Sequence, residues 1–271
     1  MDENVVRIFT IILTILIGLA VGSFLNVLIY RVPEGMNIAT PPSHCPKCDH
    51  RLKWYDNIPL LSYIILRGKC RYCGTHISLR YPLVELLNTV LWFICLMCFT
   101  SYIIPGMEMN WIKFITSCFV CSLLICIFFS DLDHMEIPDI FQLGLLICGL
   151  VLCLDHVNEE NIMLKVFGFL GAGALFIITN YLYKLIRKRE GIGFGDVELI
   201  ACAGLILGGY NVIVALLLSC VVGGAGLLIY SLINKTSEKE HPFAVLLVPG
   251  ILISLFVGQY IVDWYFSLLG V

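Results

Sequence analysis

Four of the chain's 13 cysteines stand as two close pairs, Cys45-Pro-Lys-Cys48 and, after 21 intervening residues, Cys70-Arg-Tyr-Cys73. A CxxC knuckle lets two thiolates face one ion, and four thiolates close a tetrahedral shell, so the pattern predicts a structural zinc site. Lysines and arginines around the pairs favour the thiolate forms. Two disulfides or a redox CxxC are the competing readings, although a redox motif needs only one pair. His44, His50 and His76 stand close by as substitute ligands, but four cysteines already fill the shell. The loop that carries the cysteines is too small to fold on apolar burial, so a bound ion would hold it together.

The second reactive set is acidic. Ser130-Asp131-Leu-Asp133-His-Met-Glu136-Ile-Pro138-Asp139 lies between two apolar runs, and Gly191-Ile-Gly193-Phe-Gly195-Asp196 lies between two others. Carboxylates at the ends of membrane helices are expensive to desolvate and are functional candidates for that reason. Two that meet share one proton across working pH. The ionised member then deprotonates a water while the protonated one polarises a scissile carbonyl, which is aspartyl peptidase chemistry without metal or covalent intermediate. The pair titrates jointly, so neither member is assigned as the acid. Gly191, Gly193 and Gly195 permit positive φ and close backbone approach beside Asp196. The plainer readings are that Asp196 caps a helix starting directly after it, and that Asp133, Glu136 and Asp139 are solvated loop or cap residues.

Positioning these residues falls to a membrane scaffold. The sequence is 59% hydrophobic and 14% charged, against about 25% charged in soluble domains. Nine further cysteines sit inside apolar runs, where cysteine behaves as a small hydrophobe. Apolar segments at 5–29, 83–104, 112–130, 139–154, 164–186, 197–210, 211–233 and 243–268 meet or approach the roughly 20 residues needed to cross a bilayer. The first run is too long for a signal h-region and reads as a retained span. Segments 139–154 and 197–210 are the shortest, and the break after 210 rests on Gly208-Gly209-Tyr210-Asn211, so seven spans is the alternative count. Of 17 basic residues, eight lie in 31–80, four in 184–196 (Arg189 among them) and two, Lys235 and Lys239, in 234–242. With the N-terminus outside, all three loops are cytoplasmic, while Glu108, Asp155, Glu159 and Glu160 mark the other side. The expected fold is an all-α polytopic membrane protein of about eight helices: a first helix (1–30), a cytoplasmic zinc-binding domain (31–80) and a membrane peptidase domain (81–271). Both acidic clusters then fall on the cytoplasmic side.

Gly22-Ser-Phe-Leu-Asn-Val-Leu-Ile-Tyr-Arg-Val-Pro33 resembles the start of bacterial type IV prepilin leader peptidases. So do His44-Cys-Pro-Lys-Cys48, Trp54-Tyr-Asp-Asn-Ile-Pro-Leu-Leu-Ser-Tyr63, Arg67-Gly-Lys-Cys-Arg-Tyr-Cys73 and Ile77-Ser-Leu-Arg-Tyr-Pro-Leu-Val-Glu85, with both aspartate segments following in order. The resemblance implies a bifunctional enzyme of the bacterial inner membrane. It would cleave the basic leader of prepilins and pseudopilins after a glycine on the cytoplasmic face, then methylate the new N-terminal residue with S-adenosylmethionine. By the same resemblance the peptidase aspartates are Asp131 and Asp196, with Asp133 the nearest rival, and Gly68 and Lys69 match positions linked to methylation. The cysteine loop belongs to the methylating form.

Two departures from the family pattern stand out: Glu198 where a lysine is common, and Ala244 in His241-Pro-Phe-Ala244 where a glycine is common. Glu198 would add negative charge near the pair. Acidic residues around the site could attract a basic leader, and the basic loop could lie against anionic lipid. The expected partners are prepilins, pseudopilins and the bilayer, with no nucleic acid. The alternatives are an intramembrane protease of the GxGD type without methylation, a metal or ion transporter, and a membrane-anchored zinc module.

Overall fold

The computed structural model describes residues 3–100, 110–155, 159–188, 191–226, 228 and 242–270. Among these, every regular element is helical apart from two isolated β-bridges. Glu108, Arg189, Lys235, Lys239 and His241 lie outside the described residues, as do the side chains of Glu159 and Glu160. The chain divides into two compact units, Met1–Cys126 and Ile127–Val271.

The first unit holds α1 (Glu3–Arg31), a loop region with the short α2 (Leu61–Ile65), α3 (Arg80–Phe99) and most of α4 (Trp111–His134). In lipid no apolar force pulls helices together, so small residues and interhelical hydrogen bonds set the contact. Gly18 and Gly22 of α1 meet α3 backbone to backbone: a Cβ on Gly22 would lie 2.7 Å from the Cα of Glu85, and one on Gly18 3.1 Å from that of Thr89. Polar side chains stitch the seam. Asn88 Nδ2 donates to the Gly18 carbonyl at 2.8 Å, and Asn26 Nδ2 to that of Tyr81 at 3.2 Å. On α4, Ser122 Oγ donates to Asn88 Oδ1 at 2.7 Å and accepts from Trp92 Nε1 at 3.0 Å.

The second unit takes the end of α4, then α5 (Asp139–Asp155), α6 (Glu159–Arg187), α7 (Phe194–Leu207), α8 (Gly209–Leu218, continued by a π turn at Ser219–Gly223) and a final helix.

 The last of these, α9, runs from Ala244 to Leu269. Beyond Glu198, α7 is apolar on all sides, and the helix packs against α5, α6, α8 and α9. Gly168 of α6 and Gly204 of α7 touch through their backbones, so neither position has room for a side chain. Gly208 ends α7 at φ 89°, a conformation open to glycine, and α8 begins at once. Between α8 and α9, Ser219 Oγ reaches the Leu247 carbonyl at 3.0 Å and Ser254 Oγ that of Asn211 at 2.7 Å.

Each of the eight expected segments coincides with a helix over its described residues, and six of these helices are long and apolar enough to cross a membrane. The other two are α5, with 17 residues, and α7, with 14. At 1.5 Å per residue these reach about 26 Å and about 21 Å, short of a hydrocarbon core about 30 Å thick. The fold is an all-α polytopic membrane architecture with the cysteine-bearing loop between its first two long helices.

Gly22→Leu should force α1 off α3, because the obstacle is backbone. Overpacking of this kind costs about 1–3 kcal/mol, so the detergent-solubilised protein should melt several degrees lower, as differential scanning fluorimetry would show.

Candidate active site

The two cysteine knuckles fold alike. In the first, Cys45 N–H donates to the His50 carbonyl (3.0 Å) and Asp49 N–H to that of Cys45 (2.9 Å). In the second, Cys70 N–H donates to Thr75 (2.8 Å) and Gly74 N–H to Cys70 (2.9 Å). Asp49 and Gly74 take positive φ, 54° and 70°, to turn the chain back; both residue types tolerate that region. The result gathers Cys45, Cys48, Cys70 and Cys73 with all four Sγ atoms within 4.8 Å of one another. Cys45 and Cys73 Sγ are 3.9 Å apart, against about 3.8 Å between sulfurs in a tetrahedral shell with metal–sulfur bonds of about 2.3 Å. The donor set therefore fits a metal ion. All four are free thiols, so the disulfide reading does not hold. Hydrogen bonding from Thr75 pushes Cys73 down to about 6. None of the three neighbouring histidines joins the cluster: His50 stacks on Tyr72 with ring centroids 3.5 Å apart, and His44 Nδ1 lies 3.1 Å from the Pro42 carbonyl.

Sequence reasoning missed Asp56. Buried in a short 3₁₀ turn (Trp54–Asp56), it accepts from Arg71 Nε at 2.6 Å and from Tyr72 Oη at 3.1 Å. Those two donors are the inner residues of the second knuckle. Burial works against ionisation of Asp56, but the Arg71 and Tyr72 hydrogen bonds outweigh it and hold the carboxyl below its usual range. Gly68 and Lys69 also serve this module. Gly68, at φ 67°, receives the Ile77 N–H on its carbonyl (2.8 Å) and donates to Tyr63 (2.9 Å), and Lys69 bridges His76.

In the second unit the acidic residues separate by burial. α4 continues to His134, so Asp131 lies on a helix rather than in a loop. It is 5% exposed, whereas Asp133, Glu136 and Asp139 are exposed. Its Oδ2 accepts from the Val245 N–H at 3.2 Å, and the Ala244 N–H acts on it as well. These are first-turn amides of α9, whose Phe243 N-cap offers no side-chain bond. Asp131 thus supplies an acceptor that the helix start lacks, and the positive end of α9 faces a carboxylate.

Asp196 lies in the first turn of α7, three residues after its Gly193 N-cap, within reach of the Gly193 backbone. It is not itself the cap, because α7 begins at Phe194 rather than after Asp196. The two aspartates lie near enough for the charge of Asp131 to act directly on Asp196. Of the three glycines before Asp196, Gly193 and Gly195 do not take positive φ. Their value is size: a Cβ at Gly195 would stand 3.3 Å from that of Ile137, and one at Gly191 2.5 Å from the Tyr183 ring. Asn180 Oδ1 accepts from the Gly191 and Ile192 N–H groups at 3.0 and 3.1 Å, and Gln142 Nε2 donates to the Gly195 carbonyl at 2.6 Å. Glu198 has Asp139 as its charged neighbour, whereas Asp196 has Asp131.

Residues 16–99 match the bacterial peptidase A24 N-terminal domain, and residues 118–228 match the type IV leader peptidase family. A prepilin leader peptidase/N-methyltransferase of Myxococcus xanthus is 40% identical over 205 residues, 74% of this chain and 56% of that protein. The chain thus spans little more than half the length of that relative. Proteins of the same name from Aeromonas salmonicida and Pseudomonas aeruginosa are 35% and 32% identical, with 94% and 96% of this chain aligned to 93% and 94% of theirs. No solved structure matches the chain. Fold and domain order define a membrane peptidase with a cysteine-bearing N-terminal domain. The chain belongs to the type IV leader peptidase family.

Because the Asp56 carboxyl is depressed on folding, its stabilisation is present above the ordinary aspartate pKa of about 3.9 and is lost only as pH falls through the lower folded value. At neutral pH, Asp56→Asn should therefore loosen the knuckle, read as faster metal loss to a chromophoric chelator. Gln142→Leu should free the Gly195 turn and lower kcat for peptide cleavage about tenfold with metal content unchanged; equal kcat would remove Gln142 from the positioning of Asp196.

Proposed function

We propose that this peptidase removes the leader of type IV prepilins and pseudopilins with Asp131 and Asp196, then methylates the exposed N-terminal residue from S-adenosylmethionine. The observation that carries the first half is the approach of one buried aspartate on α4 to a second in the first turn of α7. The relatives' two-part name supports both halves.

Like charges in a partly dry site disfavour double ionisation, so the pair holds one proton. A water between them gives a proton to the ionised carboxylate as its oxygen attacks the scissile carbonyl carbon. The protonated carboxyl donates to the carbonyl oxygen as the C=O bond opens. Collapse breaks the C–N bond, passes a proton to the leaving amine and returns the pair to its shared-proton state. α9's amides keep the Asp131 oxygens oriented through these exchanges.

Cys45, Cys48, Cys70 and Cys73 hold zinc in a structural role, since four thiolates leave no open position for a substrate. S-adenosylmethionine, when bound, supplies an electrophilic methyl group for the new α-amine. The basic loops argue for a cytoplasmic cysteine module (31–80) and for a peptidase domain (81–271) whose aspartates open to the same compartment. A prepilin meets that geometry with an apolar helix for the bilayer and a basic leader at its cytoplasmic end.

Co-expression with a prepilin, followed by intact mass of the product, tests this. Asp131→Asn and Asp196→Asn should each slow cleavage by at least about a hundredfold, with zinc still bound. An asparagine at 131 can still accept from Val245, which keeps the helix start intact. Undiminished cleavage in both variants would defeat the proposal. Cys45→Ser should lose zinc, and the mass of any cleaved product then reports whether the module serves methylation alone.

A further inference from the structure

A cavity of about 410 Å³ lies within the first unit, between the last three turns of α1 and the loop that follows. Its volume is in the range of small-molecule sites. Ala20, Phe24, Val27 and Arg31, spaced three or four residues apart on α1, form one wall. Ile38, Pro41 and Pro42 form part of the other, with Asn57 and Pro59 beside them.

Two buried ionisable groups stand at this cavity, one in its wall and one behind it. Arg31 is 7% exposed. Its guanidinium donates to the carbonyls of Asn37 (3.1 Å), Ile38 (2.9 Å) and Pro41 (2.6 Å). Among the described residues no carboxylate pairs with it. A buried guanidinium facing only neutral oxygens is expensive, and two of its five N–H donors remain for a ligand. Glu85 of α3, 8% exposed, stands behind the wall residue Ser23, which interacts with its carboxylate. Its Oε2 accepts from the Leu60 N–H at 2.8 Å, next to the wall residue Pro59. A cavity with a guanidinium on one side, a carboxylate behind another and an aromatic ring between them suits an amino-acid zwitterion joined to a flat aromatic heterocycle that can stack on Phe24.

We propose that this cavity seats S-adenosylmethionine, with its carboxylate on Arg31, its ammonium toward Ser23 and Glu85, and Phe24 against the adenosyl part. The inference rests on the methyl-transfer half of the proposed function. It gives the methyl donor to the domain matched at 16–99 and leaves Asp131 and Asp196, within the match at 118–228, to cleavage. Gly68 and Lys69 do not line the cavity and act on the second knuckle instead.

Calorimetric titration of the full-length zinc-loaded protein in nanodiscs with S-adenosylhomocysteine tests the site. Ala20→Phe and Val27→Phe fill the cavity from the helix and should raise Kd at least tenfold, with zinc content and melting temperature kept. Arg31→Gln should do the same through lost charge pairing. Wild-type Kd in both filling variants would overturn the assignment, as would displacement of a co-purified phospholipid by those variants without any change in Kd. Photolabelling of wild type with 8-azido-S-adenosylmethionine needs no substitution: label on peptides within 16–59 supports the site, and label elsewhere alone overturns it. A wild-type protein that neither binds the probe nor methylates a prepilin would instead overturn the methyl-transfer reading itself.

Discussion

A carboxyl group taken out of water needs hydrogen-bond partners, and the first amides of α9 supply them to Asp131. The contact joins two distant parts of the sequence at one atom, since Val245 lies 114 residues beyond Asp131. The rest of the acidic site follows from it. The end of α4 is fixed against the start of α9, and the short connection to α5 brings Ile137 against Gly195. Gly195, which carries no side chain, lets the turn before Asp196 lie close against Ile137. Arg31 and Asp56 show the same constraint in the first unit, where carbonyl oxygens surround the one and Arg71 and Tyr72 the other.

Precision at Asp196 comes from α7 being short and enclosed. Its backbone contact with α6 at Gly168 and Gly204 fixes how far along α6 it sits, and Asn180 of α6 ties down the turn before it. Gln142 of α5 holds that turn from the other side. A longer helix exposed to lipid would gain nothing from such neighbours. The 14 residues of α7 that fall short of a full crossing thus suit a helix whose first turn must be held in place.

Local features were legible in the sequence and distant ones were not. The paired CxxC spacing announced the thiol cluster because each knuckle is a turn of a few residues that closes on itself. The apolar runs gave all eight helices, yet not the lengths of α5 and α7, which depend on caps and on neighbours. Chemistry alone left Asp131, Asp133, Glu136 and Asp139 open. Resemblance favoured Asp131, and its burial beneath α9 supplies a reason that no local pattern around residue 131 contains. The glycines before Asp196 were read for positive φ and for close approach, and close packing is what Gly191 and Gly195 show. Asp56 was silent because its partners lie 15 and 16 residues on. The spacing of α1 and α3 depends likewise on which glycine faces which residue across the seam.

The two knuckles repeat one backbone design with different residues, Asp49 at one left-handed turn and Gly74 at the other. Each half presents two sulfurs, and neither half alone can complete a shell of four. Loading with one metal ion would therefore be cooperative, since the first pair would reach its full affinity only when the second had folded beside it. An ion bound there would order the intervening chain in the same event, and the module would then exist in a loaded form and an empty one with little between them.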